Sequence, residues 1–198
     1  MPKTTFYNLS EEKKERIFDA AMKEFSIRTF SQASINQIIK NADIPKGSFY
    51  QYFDNKEDLY LYMLEEVAKE KIELLSHIKG MDPNADVFEV IKYRTREFLE
   101  RGRVKPGYVE AAMLMEMDNS EFIKKIRKSS TDRYVKILER DKERGLIKPE
   151  VDSELVINMI STFNLNEYFR NGYDKERYLK NLGDAIKIIK EGVAVSKD

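Results

Sequence analysis

Residues 34–56, SINQIIKNADIPKGSFYQYFDNK, hold the pattern that decides the fold. The stretch predicts two short helices joined by a tight turn, followed at once by the start of a longer helix. Ser34 is a favourable N-cap, and the apolar residues that follow at i, i+3, i+4 and i+7 form one buried helical face. The turn at 41–43 interrupts that face, since Asp43 tolerates a left-handed conformation. Pro45 can open the second helix because it has no amide proton to leave unpaired.

The second of these helices has an unusual surface for a structural helix. Its core residues are predicted to be Ile44, Phe49 and Phe53. The residues predicted to stay outside are Lys46, Gly47, Ser48, Tyr50, Gln51 and Tyr52. A helix-turn-helix uses such a set, because its second helix enters the major groove and reads base edges while neighbouring groups contact phosphates.

The run from Arg16 to Tyr60 resembles the TetR family of bacterial transcription regulators. The resemblance rests on AAMKEF, SINQIIKNA and, above all, PKGSFYQYFDNKEDLY, whose order of lysine, glycine, serine and aromatic residues is specific. Two positions differ from the usual family pattern, since Thr29 and Asp43 stand where glycine is common. Both differences affect turn geometry rather than the surface that would face DNA.

The resemblance implies a DNA-contacting surface, with a polar surface on a small helical domain as the disfavoured alternative. Gly47 would let the backbone approach the duplex closely. The implied phosphate contacts come from Ser34, Lys46, Tyr50 and Lys56. The implied contacts with bases or sugars come from Gln37, Ser48, Gln51 and Tyr52.

Composition excludes several classes of protein. Of 198 residues, 41% are apolar and 35% charged, which is typical of a soluble helical chain rather than a disordered one. Basic and acidic residues balance at 35 each, so DNA binding must come from the placement of charge. The absence of cysteine excludes disulfides and thiol chemistry. No apolar run approaches the roughly 18 residues of a spanning helix and no signal-peptide core is present, so we expect a cytoplasmic protein without membrane partners.

The remaining sequence predicts only helices, which makes the fold class all-α. The nine predicted helices have no strand-like alternation, internal repeat or low-complexity segment between them, and residues 1–9 are a short arm with no assigned structure. We expect an N-terminal three-helix helix-turn-helix domain at residues 1–54. A larger helical domain for effector binding and dimerisation is expected at residues 55–198.

The last helix has an apolar face too wide for burial against a single neighbour. One interpretation is a deeply packed core helix. The favoured one is a subunit interface, formed with the preceding helix and their symmetry mates as a four-helix bundle. Major-groove readers usually need a second half-site about 34–36 Å away, and the family resemblance also points to a homodimer. The predicted interface residues are Leu182, Ile186 and Ile189.

Three charged residues interrupt apolar helical stripes: Arg94, Glu116 and Glu167. A buried charge must be paired or must meet a ligand or water. The alternative is that the three lie at stripe edges and reach solvent. The ligand hypothesis predicts a cavity in which Arg94 orients an anionic or hydrogen-bonding group, or is held by one of the two glutamates. The predicted walls are Met63, Phe88, Ile91, Phe98, Met113, Met117, Tyr134 and Phe163.

The resemblance implies a sequence-specific repressor that a small hydrophobic or amphipathic molecule releases from a double-stranded DNA operator by moving the helix after residue 55. One alternative is a regulator of the same fold without a small-molecule ligand, acting as an activator or under a protein partner. Another is an enzyme on a helical bundle, but no nucleophile, metal set or cofactor loop is evident. The single histidine, His77, cannot make a histidine-based metal site. We therefore predict no catalytic residue, metal or cofactor.

Overall fold

A computed structural model describes residues 1–76, 82–101, 107–171 and 174–195. His77 lies outside these ranges, and the side chain of Phe98, one of the predicted cavity walls, is also outside the described part. Within the ranges, no helix combines the length and the apolar character needed to cross a membrane.

The described residues form ten α-helices, which confirms the all-α prediction. Nine of them correspond to the predicted helices, and the additional one lies in the N-terminal arm. In chain order they are α1 (Thr4–Tyr7), α2 (Glu11–Phe25), α3 (Ile35–Asn41), α4 (Lys46–Tyr52), α5 (Lys56–Ser76), α6 (Val87–Arg101), α7 (Tyr108–Met117), α8 (Glu121–Glu143), α9 (Ser153–Asn171) and α10 (Lys175–Val193).

The chain divides into two compact units. The first unit comprises Met1–Glu73 and Arg103–Lys125, and the second comprises Leu74–Gly102 and Ile126–Asp198. The first unit therefore contains the helix-turn-helix together with α7. The boundary between residues 54 and 55 is a statement about functional domains, and it stays a prediction.

The core of the first unit is rich in aromatic side chains. α2 contributes a buried face that includes Ile17, Phe18 and Phe25. Phe25 meets Tyr60 of α5 edge to face, with ring centroids 4.7 Å apart. Offset and edge-to-face arrangements of this kind are favoured by the quadrupoles of the rings. This ring contact joins α2 to α5 within the first unit.

The core of the second unit draws side chains from α6, α8, α9 and α10, and from the segment between α8 and α9. Its buried members are Val87, Phe88, Ile91, Leu138, Ile147, Val156, Ile157, Ile160, Tyr178, Leu182 and Ile186. The buried Asp141 accepts the backbone N–H of Val87 at 2.7 Å, and it is also bound by Arg140 and Arg144. These bonds satisfy the start of α6 and leave the carboxylate paired inside the unit.

The predicted interface residues of α10 belong largely to this core. Leu182 and Ile186 are each 1% exposed within a single chain, so a partner subunit could bury them no further. Ile189 is partly buried against the same cluster. The prediction that Leu182 and Ile186 lie at the subunit interface is therefore wrong. The wide apolar face of α10 is explained by its packing against both α9 and α6.

Candidate nucleic-acid interface

Helices α3 and α4 form the predicted helix-turn-helix. The Ser34 hydroxyl caps α3 by accepting the backbone N–H of Gln37 at 3.4 Å. The chain then turns through Asp43, whose φ of +50° is the left-handed conformation expected of this position. Pro45 is the N-cap residue of α4, in an extended conformation with φ −62° and ψ 144°. The Ser34 cap and the left-handed turn at Asp43 agree with the sequence signals, whereas Pro45 stands one residue before the first helical position, which is Lys46.

One face of α4 is open to solvent. Lys46, Gly47, Tyr50 and Gln51 are exposed, and Ser48 is half-buried. A Cβ added to Gly47 would meet no other atom within 4 Å. Packing among the described residues therefore does not require glycine at this position. Glycine would be required if an external surface approached the helix closely.

Tyr52 does not share that open face. It is 6% exposed, and its ring meets the ring of Phe6 edge to face at 6.2 Å between centroids. Lys13 places its Nζ 5.6 Å from the centroid of the Tyr52 ring. Tyr52 follows the buried Phe49 at i+3, which puts both on one side of the helix. The prediction that Tyr52 faces bases or sugars is therefore wrong, because the N-terminal arm covers it.

Gln37 and Lys56, at the edge of the surface, make bonds within the chain. The Gln37 side chain donates to Asn41 at 3.0 Å. The Lys56 ammonium donates to the carbonyls of Ser31 and Ala33, at 3.3 and 2.9 Å. Burial lowers the pKa of Lys56, while the carboxylates of Asp118 and Glu24 oppose the shift. Lys56 thus helps fix the segment that enters α3, and its predicted phosphate contact stays a prediction.

Glu24 is a supporting residue that the sequence analysis did not identify. Its buried carboxylate accepts the backbone N–H of Ser34 at 2.9 Å and the Arg28 guanidinium at 2.7 Å. Glu24 thereby ties Ser34, the N-cap residue of α3, to α2. A signal was available, since Glu24 follows Ile17 by seven residues and Ala21 by three, on the buried face of α2.

Asp118, between α7 and α8, is the second supporting residue. It accepts the backbone N–H of Ser31 at 2.6 Å, the Ser31 hydroxyl at 3.0 Å and the backbone N–H of Ser120 at 2.9 Å. Burial alone would raise the pKa of Asp118, but the hydrogen bonds from Ser120 and Ser31 outweigh it and lower the pKa to about 2. Asp118 and Ser31 are 87 residues apart, and no sequence pattern connects them.

The predicted cavity residues in the first unit differ in burial. Met63 is fully buried in the core, and Met113 is half-buried. Glu116 is exposed and Met117 is 68% exposed. The expectation that Glu116 points inward is therefore wrong, and Met117 does not wall an enclosed space. Both residues come at the end of α7, where its apolar stripe runs out into solvent.

In the second unit, the structure places Arg94 beside Tyr134, with the guanidinium carbon 6.0 Å from the ring centroid. Arg94 Nη1 is buried and has no hydrogen-bond partner among the described residues. Glu167 is buried, and it accepts the side-chain amides of Asn171 and Asn181, each at 2.6 Å. Of the remaining predicted walls, Phe88 and Ile91 are buried, and Phe163 is exposed.

Comparison with known proteins places this geometry in a family. Residues 17–63 match the family described as bacterial regulatory proteins, tetR family. A crystal structure of a TetR family transcriptional regulator from Chloroflexus aurantiacus superposes with a TM-score of 0.71 and 26% identity, covering 99% of this chain and 100% of that one. The chain belongs to the TetR family. It is a helix-turn-helix, DNA-binding regulator of transcription, as the resemblance implies.

Relatives of this TetR-family protein carry matching descriptions. The biofilm operon icaADBC negative transcriptional regulator IcaR of Staphylococcus epidermidis is 24% identical over 164 residues, which cover 82% of this chain and 86% of IcaR. The uncharacterised helix-turn-helix regulator YdgC of Bacillus subtilis is 38% identical over 53 residues, 27% of each chain. These relatives are described as transcription regulators, a class of proteins that are not enzymes.

Proposed function

We propose that this TetR-family protein is a repressor that binds a palindromic operator as a homodimer and is released by a small amphipathic ligand. Repression is supported by the description of IcaR as a negative regulator. The observation that carries DNA recognition is the open face of α4, centred on a glycine that internal packing does not require. Because the proposed target is double-stranded operator DNA, the proposed location is the cytoplasm.

On this face, each exposed group has a proposed task. Lys46 and Tyr50 contact phosphates, while Ser48 and Gln51 face base edges. Gly47 allows the backbone of α4 to approach the duplex. Ser34, Gln37 and Lys56 extend the surface on the side of α3, in addition to the bonds that they make within the chain.

The sharpest test of the surface is Gly47→Ala. Alanine favours a helix by up to about 1 kcal/mol over glycine, so the variant should be as stable as the wild type or more so. The added methyl group should nevertheless lower operator affinity by at least about tenfold, equivalent to about 1.4 kcal/mol, because it occupies the space of closest approach. Gly192→Ala on α10 is the matched control, since its added Cβ also meets nothing within 4 Å. Wild-type affinity in Gly47→Ala would contradict the proposed surface.

Contacts with phosphates can be distinguished from contacts with bases by how the DNA affinity changes with salt concentration. Lys46→Ala should weaken binding to all duplexes about equally, and loss of one phosphate contact per subunit should make the log–log salt slope of a dimer shallower by about 1.8. Gln51→Ala should instead relax the preference at one position of each half-site. Both effects are measured by fluorescence anisotropy with a duplex that the wild type selects from a random-sequence pool, and with single-base variants of that duplex. Unchanged affinity in both variants would reject these two roles.

The proposed subunit interface is an apolar stripe on α9 with one residue of α10. Leu155, Met159 and Phe163 recur every four residues on α9, and all three are exposed, Leu155 at 57%. Ile188 of α10 is 71% exposed. A stripe of this kind on a monomer marks an interaction site, and burial of more than about 2,000 Å² would be typical of an obligate dimer. These residues replace Leu182 and Ile186 in the proposal.

Met159→Glu tests the interface by sedimentation velocity. A charge placed in the stripe should shift the protein from dimer to monomer, whereas Glu154→Gln, an exposed change on the same helix, should leave the dimer intact. A wild-type protein that sediments as a monomer at micromolar concentration would overturn the homodimer.

The proposed ligand site is centred on Arg94. A buried cationic nitrogen without a hydrogen-bond partner is unfavourable, so an anionic group delivered by a ligand would stabilise it. Phe88 and Ile91, which are buried on the same helix, are proposed to meet an apolar tail. We therefore propose an amphipathic anion as the ligand class, with Arg94 as its charged anchor.

Arg94→Met should stay folded and bind operator, yet lose its response to an amphipathic anion such as decanoate. Arg133→Met is the matched control, because Arg133 is exposed and lies 5.2 Å from the centroid of the same Tyr134 ring. Decanol, which has the same tail without the charge, should act more weakly than decanoate on the wild type. If neither compound nor other amphipathic anions release DNA, the alternative of a regulator without a small-molecule ligand is favoured.

A further inference from the structure

The N-terminal arm, residues 1–9, closes the end of the DNA-facing helix α4. The backbone N–H of Lys3 donates to the carbonyl of Tyr52 at 2.8 Å, and the Lys3 ammonium donates to the carbonyl of Tyr50 at 2.9 Å. The Thr5 hydroxyl donates to the carbonyl of Gln51. Three consecutive carbonyls at the C-terminal end of α4 are thus bound by two residues of the arm.

These bonds matter because α4 is only seven residues long. The last four carbonyls of any helix lack partners within the helix, and short helices are marginally stable alone. In α4, the Phe49 carbonyl accepts the N–H of Phe53 at 2.9 Å. The arm supplies the hydrogen-bond donors for the other three carbonyls. The Lys3 ammonium also places positive charge at the negative end of the helix dipole.

The arm is anchored where it makes these bonds. Phe6 of α1 is fully buried, with its ring centroid 5.0 Å from that of Phe53 and 4.7 Å from that of Tyr62. Lys3 forms an ion pair with Asp54 at 2.6 Å. The contacts on both sides of the helix end give the arm a defined position against α4.

We propose that the arm is a positioning element for DNA recognition: Lys3 and Thr5 hold the last turn of α4, which carries Gln51, in the conformation that meets the base edges. This inference rests on the proposed DNA contacts of α4 and extends the recognition machinery to two residues of the arm. Lys3 and Thr5 act through the backbone of α4 and not by touching DNA. The arm therefore contributes to affinity and base preference without contributing to the number of phosphate contacts.

The test uses full-length protein and a duplex selected from a random-sequence pool by the wild type. Thr5→Val removes the hydroxyl donor at nearly constant side-chain volume, whereas Thr5→Ser retains the hydroxyl. Loss of one hydrogen bond should lower affinity by up to about fivefold per subunit, while Thr5→Ser should bind like the wild type. Amide hydrogen exchange at residues 50–53 should be faster in Thr5→Val, with global unfolding little changed.

The salt slope separates positioning from direct contact. Lys3→Met should lower affinity while the slope stays that of the wild type, whereas a lysine on phosphate would make the slope of a dimer shallower by about 1.8. Wild-type affinity in Thr5→Val, or a shallower slope in Lys3→Met, would overturn the inference. If the wild type selects no duplex, the proposed DNA contacts of α4 are wrong as well. Unchanged amide exchange in Thr5→Val refutes the role of the arm independently of any DNA.

Discussion

Replacing Asp118 by asparagine should destabilise the first unit in a pH-dependent manner. The carboxylate is almost completely buried and accepts N–H groups from Ser31 and Ser120 as well as the Ser31 hydroxyl. Asparagine keeps the size of the side chain but brings an NH₂ group, a donor, into a site built from donors. Asp118→Asn thus removes the charge-assisted bonds between the α7–α8 junction and the turn before α3.

The magnitude follows from the pKa. The pKa of Asp118 is lowered to about 2 in the folded protein, against about 3.9 for an aspartate in the unfolded chain. At about 1.4 kcal/mol for each unit, the ionised group contributes about 2 to 3 kcal/mol to the free energy of unfolding at neutral pH. Because the folded pKa is the lower one, this contribution is complete above about pH 5 and is lost as the pH falls toward 2.

Urea denaturation of the wild type and Asp118→Asn, followed by circular dichroism between pH 7 and pH 3, tests the reasoning. The variant should be about 2 to 3 kcal/mol less stable at pH 7, and the difference should fall to about half near pH 3. Asp19→Asn, an exposed change on α2, is the control and should show no comparable loss. A difference between the variant and the wild type that is the same at pH 7 and pH 3, or no difference at all, would refute this account of Asp118.

Three further substitutions should change the free energy of unfolding, measured by chemical denaturation. Asp43→Gly should raise it by up to about 1 kcal/mol, because the left-handed φ of +50° is unfavourable for residues other than glycine. Gly107→Ala should lower it by about 1 to 2 kcal/mol, since φ is +87° and the new Cβ would lie 3.1 Å from Cβ of Ser26. Ile186→Ala should lower it by about 2 to 5 kcal/mol, whereas Ile188→Ala should change the monomer by less than about 0.5 kcal/mol and weaken association instead. A stabilised Gly107→Ala, or equal losses at Ile186 and Ile188, would contradict the packing described above.

The sequence alone predicted the all-α class, the helix-turn-helix and the family. Those features depend on contacts between residues close together in the chain: the Ser34 cap, the turn at Asp43 and the apolar spacing of α3. Such local interactions operate over three or four residues, so they are visible as a pattern of residue types. The open face of α4 was predictable for the same reason, with the exception of one tyrosine.

Only the tertiary structure decided which apolar and charged faces are covered. Tyr52 is buried because an arm more than forty residues away in sequence packs on it, and Leu182 is buried because α10 meets both α6 and α9. Asp118 reaches Ser31 across 87 residues. Helical periodicity indicates that a face is apolar, but it does not say whether the same chain, a second subunit or a ligand covers it. Which of the three covers the face depends on long-range packing. A sequence pattern of period 3.6 carries no information about contacts between residues far apart in the chain.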